Sequence, residues 1–200
     1  LSKGKFLWIT RNGVDCRADS LLAFLKTVSE MGFSPRKFRA QTIEDDLVHL
    51  RNLDVDTAKY EMNRLLARLE YNLTKAYLRY TVGQRLGFMN PMRVFNRLDV
   101  HEVDSLNKSF RGLYDIPMEI VGKEFLDVAL RKIRNDSVPQ FLHEIQPKNP
   151  LYTSLLNRLK QCHAKKERMK LLCNIERSRW RLYDYPWKHT KYVLVNIPSF

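Results

Sequence analysis

Glycine and proline are scarce in this chain of 200 residues, at 7 and 8 copies, and cysteine is scarcer still at 3. So little Gly and Pro excludes a collagen-like fibre and a low-complexity linker. The three cysteines, Cys16, Cys162 and Cys173, lie far apart, which excludes both a dense disulfide framework and a C-x-x-C zinc site. No run approaches the ~18 continuous apolar residues of a membrane span, and there is no internal repeat. The chain opens on Leu1 without a basic segment followed by an apolar run, so any targeting peptide is expected to have been removed or never included. Acidic side chains are also few, 22 against 35 Lys and Arg, for a net charge of +13.

What is present is 44 % apolar residues, enough for one domain with a core, or one domain and a fragment of the next. The positive excess is concentrated: from Lys148 to the end stand 12 basic and 3 acidic residues. Such a field attracts any polyanion, whether nucleic acid, an acidic membrane surface or a carboxylate-rich wall polymer, and a solvated helix face accounts for it equally well. Lys165, Lys166 and Arg168 are the candidate polyanion surface. Cys162 beside His163 is a poor nucleophile and base, because adjacent side chains on a helix diverge by about 100°. Cys173, among Leu171, Leu172 and Ile175, reads as a small buried residue.

Along the chain, residues 6–10 are β-prone and close on the turn pair Asn12-Gly13. Asp19 or Ser20 is expected to cap a helix with Leu21, Leu22, Phe24, Leu25 and Val28 on its apolar face, ended by Gly32. The clearest stripe follows Asp56: Met62, Leu65, Leu66, Leu69, Leu73, Ala76, Tyr77 and Tyr80 predict the central core helix, with Lys59, Arg64, Arg68, Glu70 and Lys75 as ordinary solvated charges outside it. Gly83, Gly87 and Asn90-Pro91 mark a loop, and the segment through Tyr114 leans helical. Further helices are expected over 122–134, from Ser137 to before Pro147, from Pro150 through Leu159, and from about Glu167 to Leu182. Residues 192–198 read as a strand apolar on both faces, which needs neighbours, and the only other strand candidate is residues 6–10. The natural protein is therefore expected to continue beyond Phe200.

At this boundary Asn174-Ile175-Glu176-Arg177-Ser178-Arg179-Trp180, followed by Tyr192-Val193-Leu194-Val195-Asn196-Ile197-Pro198, resembles the N-x-E-R-x-R-W and Y-x-x-V-N-I-P junction of large murein L,D-transpeptidases with a YkuD-type catalytic domain. Gly32-Phe33-Ser34-Pro35 with Phe38 is similar to that family's G-L-x-P-x-x-Y. Leu73-Thr74-Lys75-Ala76-Tyr77-Leu78-Arg79-Tyr80 resembles its L-T-x-A-x-x-x-Y helix, and Gln146-Pro147-Lys148-Asn149-Pro150-Leu151-Tyr152 with Leu155 its P-x-x-P-x-Y-x-x-L segment.

The resemblance implies an exported enzyme of the periplasm or cell envelope that cross-links peptidoglycan, a cysteine thiolate attacking the carbonyl of a tetrapeptide stem. The family's nucleophile lies in an S-x-G-C-x-R-like motif in a β domain, and none of the three cysteines here follows Ser-x-Gly. No catalytic residue, cofactor or metal ligand is therefore expected on this chain. Many relatives insert a peptidoglycan-binding module between the helices of Leu159 and Ile175, for which the 15 intervening residues leave no room. The loop at Gly87-Phe88 also departs from the family's usual Gly-Arg.

The expected fold is mainly α, an irregular multi-helix bundle scaffold with a short N-terminal extended segment and a C-terminal strand leading into a missing β catalytic domain. Its expected divisions are a helical scaffold over 1–182 and a linker with the first catalytic strand over 183–200. Arg177, Arg179 and Trp180, on the last helix, are the candidate interdomain contact, where a Trp face and Arg forks suit packing. The expected partners are the chain's own catalytic domain and, through the parent, peptidoglycan stem peptides, with no membrane span. The alternative is a basic helical nucleic-acid-binding module, drawn from the basic tail and its Tyr183, Tyr185, Trp187 and Tyr192. It lacks an RNP-like pattern, zinc spacing and a helix-turn-helix signature, so no nucleic-acid partner is expected.

Overall fold

The computed structural model describes residues 6–10, 13–52, 59–91, 94, 100–104, 107–110 and 118–181. The chain divides into two compact units, one of Leu1–Asn90 with Ile120–Trp180, the other of Pro91–Glu119 with Arg181–Phe200.

The first unit is helical, as its stripes predict. A two-stranded hairpin, β1 (Ile9–Thr10) and β2 (Gly13–Val14), leads into α1 (Cys16–Thr27). The N-cap is Asp15 rather than Asp19 or Ser20: its carboxylate accepts the Arg17 N–H, so the helix starts earlier, and Asp19 instead pairs with Arg51 at 2.6 Å. A 3₁₀ turn, Val28–Met31, ends on Gly32 at φ 84°, and a second, Pro35–Phe38, follows.

Helix α2 (Ala40–Asn52) has no counterpart in the sequence reading. Its buried stripe of Ala40, Ile43 and Leu47 also contains Asp46, which blurs the period. Asp46 is buried because Arg68 of α3 grips both its oxygens, at 2.6 and 3.0 Å. Helix α3 (Lys59–Leu86) is the expected core helix, burying Leu65, Leu69, Leu73, Ala76, Tyr77 and Tyr80. Two of its supposed solvated charges are structural. Besides Arg68, Glu70 accepts the backbone N–H groups of Leu7 and Trp8, at 2.6 and 3.1 Å. With the Trp8 indole donating to Thr74 and its ring edge-on to Tyr77, this fastens the N-terminal segment to α3.

Gly83 lies inside α3 rather than in a loop, because the Phe88 ring returns over it: a Cβ there would stand 2.1 Å from Phe88 Cε1. The later helices are α4 (Lys123–Arg134), α5 (Val138–Glu144), α6 (Pro150–Gln161) and α7 (Lys165–Arg177). Helix α1 packs against α2, α3 and α5, and α6 packs against α7. Among the described residues, no helix is long and apolar enough to cross a membrane.

Helix α7 stops at Arg177 and not at Leu182, since the amides of Arg179 and Trp180 turn back to the carbonyls of Glu176 and Arg177 in tight three-residue steps. Its buried face is Leu171 and Ile175, so Cys173, two residues round the helix from either, is exposed rather than buried.

In the second unit, β3 (Val100–Asp104) pairs antiparallel with β4 (Asn107–Phe110), Val100 opposite Phe110 and a register shift between Glu102 and Asp104. The helical expectation fails over 100–104 and 107–110, as does the claim that residues 6–10 were the only other strand candidate. Apolar Val100, Val103, Leu106 and Phe110 recur at three-to-four spacing, so the pattern itself points to a helix, and strand pairing overrides it. The Glu119 amide donates to the Arg181 carbonyl at 2.9 Å. The strand expected at 192–198 and the aromatic residues Tyr183 to Tyr192 lie outside the described residues.

Candidate functional site

The residues singled out on the last helix separate. Arg177 is exposed, Trp180 is partly buried, and Arg179 is 2 % exposed, turned into the first unit where α3, α6 and the end of α7 meet. Its guanidinium is bonded on every nitrogen: Nε donates to Gln84 Oε1 at 3.3 Å, Nη1 to Glu176 Oε2 at 3.3 Å and to the Ile175 carbonyl at 3.4 Å, and Nη2 to the Tyr152 hydroxyl at 3.0 Å. The rings of Phe33, Phe88 and Tyr152 surround it, with centroids 5.0 to 5.5 Å from the guanidinium carbon. This is a buried cation held by one carboxylate, three rings and neutral acceptors. All of these groups belong to the helical unit.

The network runs on from there. Glu176 accepts the Met89 amide at 2.7 Å through its other oxygen, which pins the chain leaving α3. Gly87 makes that approach possible: at φ 94°, a Cβ would stand 2.6 Å from the Trp180 ring and 2.9 Å from Glu176 Oε1. The Met31 thioether sulfur receives Arg179 Nη2, Gln84 Nε2 and the Tyr152 hydroxyl, at 3.2, 3.1 and 3.1 Å. Tyr80 accepts from Gln146 Nε2 at 2.9 Å. Burial pushes the Tyr80 phenol above its ordinary range, partly offset by hydrogen bonds to Gln146 and Gln84. Burial likewise raises Tyr152 against the opposing charge of Arg179. Both tyrosines stay neutral and act as donors and acceptors.

Met31, Phe33, Gln84, Phe88 and Glu176 were not singled out in the sequence as partners of Arg179. Their spacing gives no signal, since they converge from three separate stretches, 31–33, 84–88 and 176.

Lys165, Lys166 and Arg168 are exposed on α7. Arg168 reaches back to the Leu159 carbonyl at 3.3 Å, capping the end of α6, and Glu167 pairs with Arg158 at 2.6 Å. Lys165 and Lys166 occupy the first turn of the helix, where the backbone dipole already presents positive charge, so they concentrate the field that a polyanion would meet.

The three cysteines are free thiols, Cys162 half-buried and Cys173 exposed. Cys16 is exposed, and its hydrogen bond to Asp15 and that carboxylate's charge push its thiol up, the reverse of activation. Cys162 Sγ lies 3.6 Å from the Ala164 carbonyl. Among the described residues, no group of His, Cys, Asp and Glu is placed to hold a metal ion.

A family model described as Scaffold domain matches residues 2–159. No curated protein and no solved structure matches the chain.

Proposed function

The chain belongs to the Scaffold domain family, and on that premise we propose that it is the non-catalytic scaffold portion of a peptidoglycan L,D-transpeptidase. The parent would be exported to the periplasm or cell envelope and form cross-links through a cysteine acyl-enzyme on a separate β domain. That domain would be the chain's principal partner, with stem peptides reached through the parent.

One observation carries the reading. Three of the four stretches that resemble the transpeptidase family send a residue of the quoted pattern to the same buried cluster: Tyr80 of L-T-x-A-x-x-x-Y, Tyr152 of P-x-x-P-x-Y-x-x-L, and Glu176 and Arg179 of N-x-E-R-x-R-W; the first stretch sends Phe33, which stands where the family has Leu. Residues that recur as a family pattern and close on one another in a core do structural work, which is what a scaffold requires. The raised thiol of Cys16 and the exposed setting of Cys173 support the same assignment of chemistry elsewhere.

The test is intact-mass spectrometry of the whole chain after incubation with a carbapenem and with tetrapeptide-stem muropeptides. The reading predicts an unchanged mass and no cross-linked product. A stoichiometric acyl adduct on any of the three cysteines would overturn it.

A further inference from the structure

A cavity of about 220 Å³ opens between the second 3₁₀ turn and α3, away from the Arg179 cluster. Five cations line it, Arg36, Lys37, Arg39, Lys75 and Arg79, with Asn72 and no carboxylate among the lining residues. The fold assembles them from two sides. On α3, Asn72, Lys75 and Arg79 recur at three and then four residues and so share a face. Opposite them, the turn Pro35–Phe38 ends on Arg39 in the left-handed region at φ 55°, a conformation uncommon for a residue with a Cβ, and this sharp exit places three basic residues in four positions beside the cavity. Arg79 is fixed by its bond to the Lys37 carbonyl at 2.9 Å and by stacking on Phe38.

Asn72 gives the cavity its chemistry. It is 2 % exposed, and its Oδ1 accepts from Arg39 Nη1 at 3.2 Å. A guanidinium has only donors, so the amide must present its oxygen to Arg39 and its nitrogen elsewhere. That nitrogen, Nδ2, is buried and has no hydrogen-bond partner within the protein. An unused buried donor and five like charges each cost free energy without a counter-ion. One ligand relieves both: an anion with several acceptor oxygens. A monocarboxylate offers a single charge in one plane, whereas a phosphate group offers up to two charges with acceptors in several directions, matching cations that line the cavity from both the 3₁₀ turn and α3.

We propose that this cavity binds a phosphate-type dianion, with Asn72 Nδ2 and the Arg39 and Lys75 cations as its principal donors. It is independent of the transpeptidase reading.

The experiment uses the whole chain with inorganic phosphate, and with acetate at matched ionic strength, followed by calorimetry and thermal unfolding. Phosphate is expected to bind saturably at one site and to raise Tm with concentration, as a ligand of the folded state must, while acetate does neither. Asn72→Leu should weaken phosphate binding about tenfold, the loss of one charge-assisted bond. In phosphate-free buffer it removes an unsatisfied donor but also the acceptor of Arg39 Nη1, so binding is compared at a temperature where both proteins are folded. Lys75→Ala, at an exposed position, should weaken binding with Tm unchanged and serves if the first variant does not fold. Phosphatidylcholine vesicles carrying phosphatidic acid separate two sources of the group. Co-sedimentation lost in the same variants assigns it to a lipid headgroup, and saturable binding of free phosphate without co-sedimentation assigns it to a soluble ligand. Phosphate and acetate behaving alike, no saturation, or both variants binding as the natural chain does would overturn the proposal.

Discussion

Met31 is the residue on which the buried cluster is most sensitively balanced. A thioether is a weak acceptor, yet here it takes three donors, and no water-facing alternative is open to them because Gln84, Tyr152 and Arg179 are all buried. Exchanging Met for Leu in a core ordinarily costs less than about 1.5 kcal/mol, since volume is kept. At Met31 the change also strips the Tyr152 hydroxyl of its acceptor and the Gln84 amide of one of its two, and an unsatisfied buried donor costs about 1–3 kcal/mol. Urea unfolding of Met31→Leu should therefore show a loss of about 2 kcal/mol or more. A change near zero would mean that the sulfur contacts are packing only. None of this is legible in the sequence, where Met31 reads as one more apolar residue before Gly32. Arg179 was legible as special through its place in N-x-E-R-x-R-W, but its direction was not, because whether an Arg near a helix end points outward or inward depends on turns that form after the helix stops.

At the scale of elements, legibility followed the strength of the period. Helices α3 to α6 carry their apolar residues at regular three-to-four spacing, α4 to α6 with Gly or Pro at their starts, and they stand where the pattern puts them. Helix α2 was hidden by a polar residue on its own buried face, and the β3–β4 pair by apolar residues at helical spacing, Val100, Val103, Leu106 and Phe110, with few β-branched residues. The cap of α1 is a case where a local bond decides. Burial pushes the Asp15 carboxyl up, but bonds from the Arg17 amide and the Cys16 thiol, with the Arg17 guanidinium 2.8 Å away, together hold it below its ordinary value of 3.8. A carboxyl depressed in the folded state contributes stability that is complete above the unfolded pKa and is lost as pH falls through the folded one. In urea unfolding from about pH 6 down to about pH 2, the natural chain should lose this contribution below about pH 4. Asp15→Asn keeps the cap but lacks the charge, so the stability gap between the two proteins should narrow over that interval. A gap constant with pH would show that the carboxylate acts only as a neutral acceptor would.

Over the whole molecule, the account holds that the first unit is one cooperative scaffold because a single buried cation ties the end of α7 to α3, α6 and the 3₁₀ turn at Met31. Removing one partner of a buried, hydrogen-bonded charge costs about 3–5 kcal/mol, because the other is left uncompensated, here Glu176. The cost should fall on the elements that Arg179 joins. The most direct measurement is native-state hydrogen exchange of the intact chain and of Arg179→Met. The account predicts that in the natural chain the amides of Leu171 to Ile175 and of Leu155 to Leu159 exchange as slowly as those of Leu73 to Tyr80, and that in Arg179→Met the first two groups open at markedly lower free energy than the third. If α6 and α7 exchange at rates of their own that are indifferent to Arg179, the helical unit is not held together in this way and the scaffold account is contradicted.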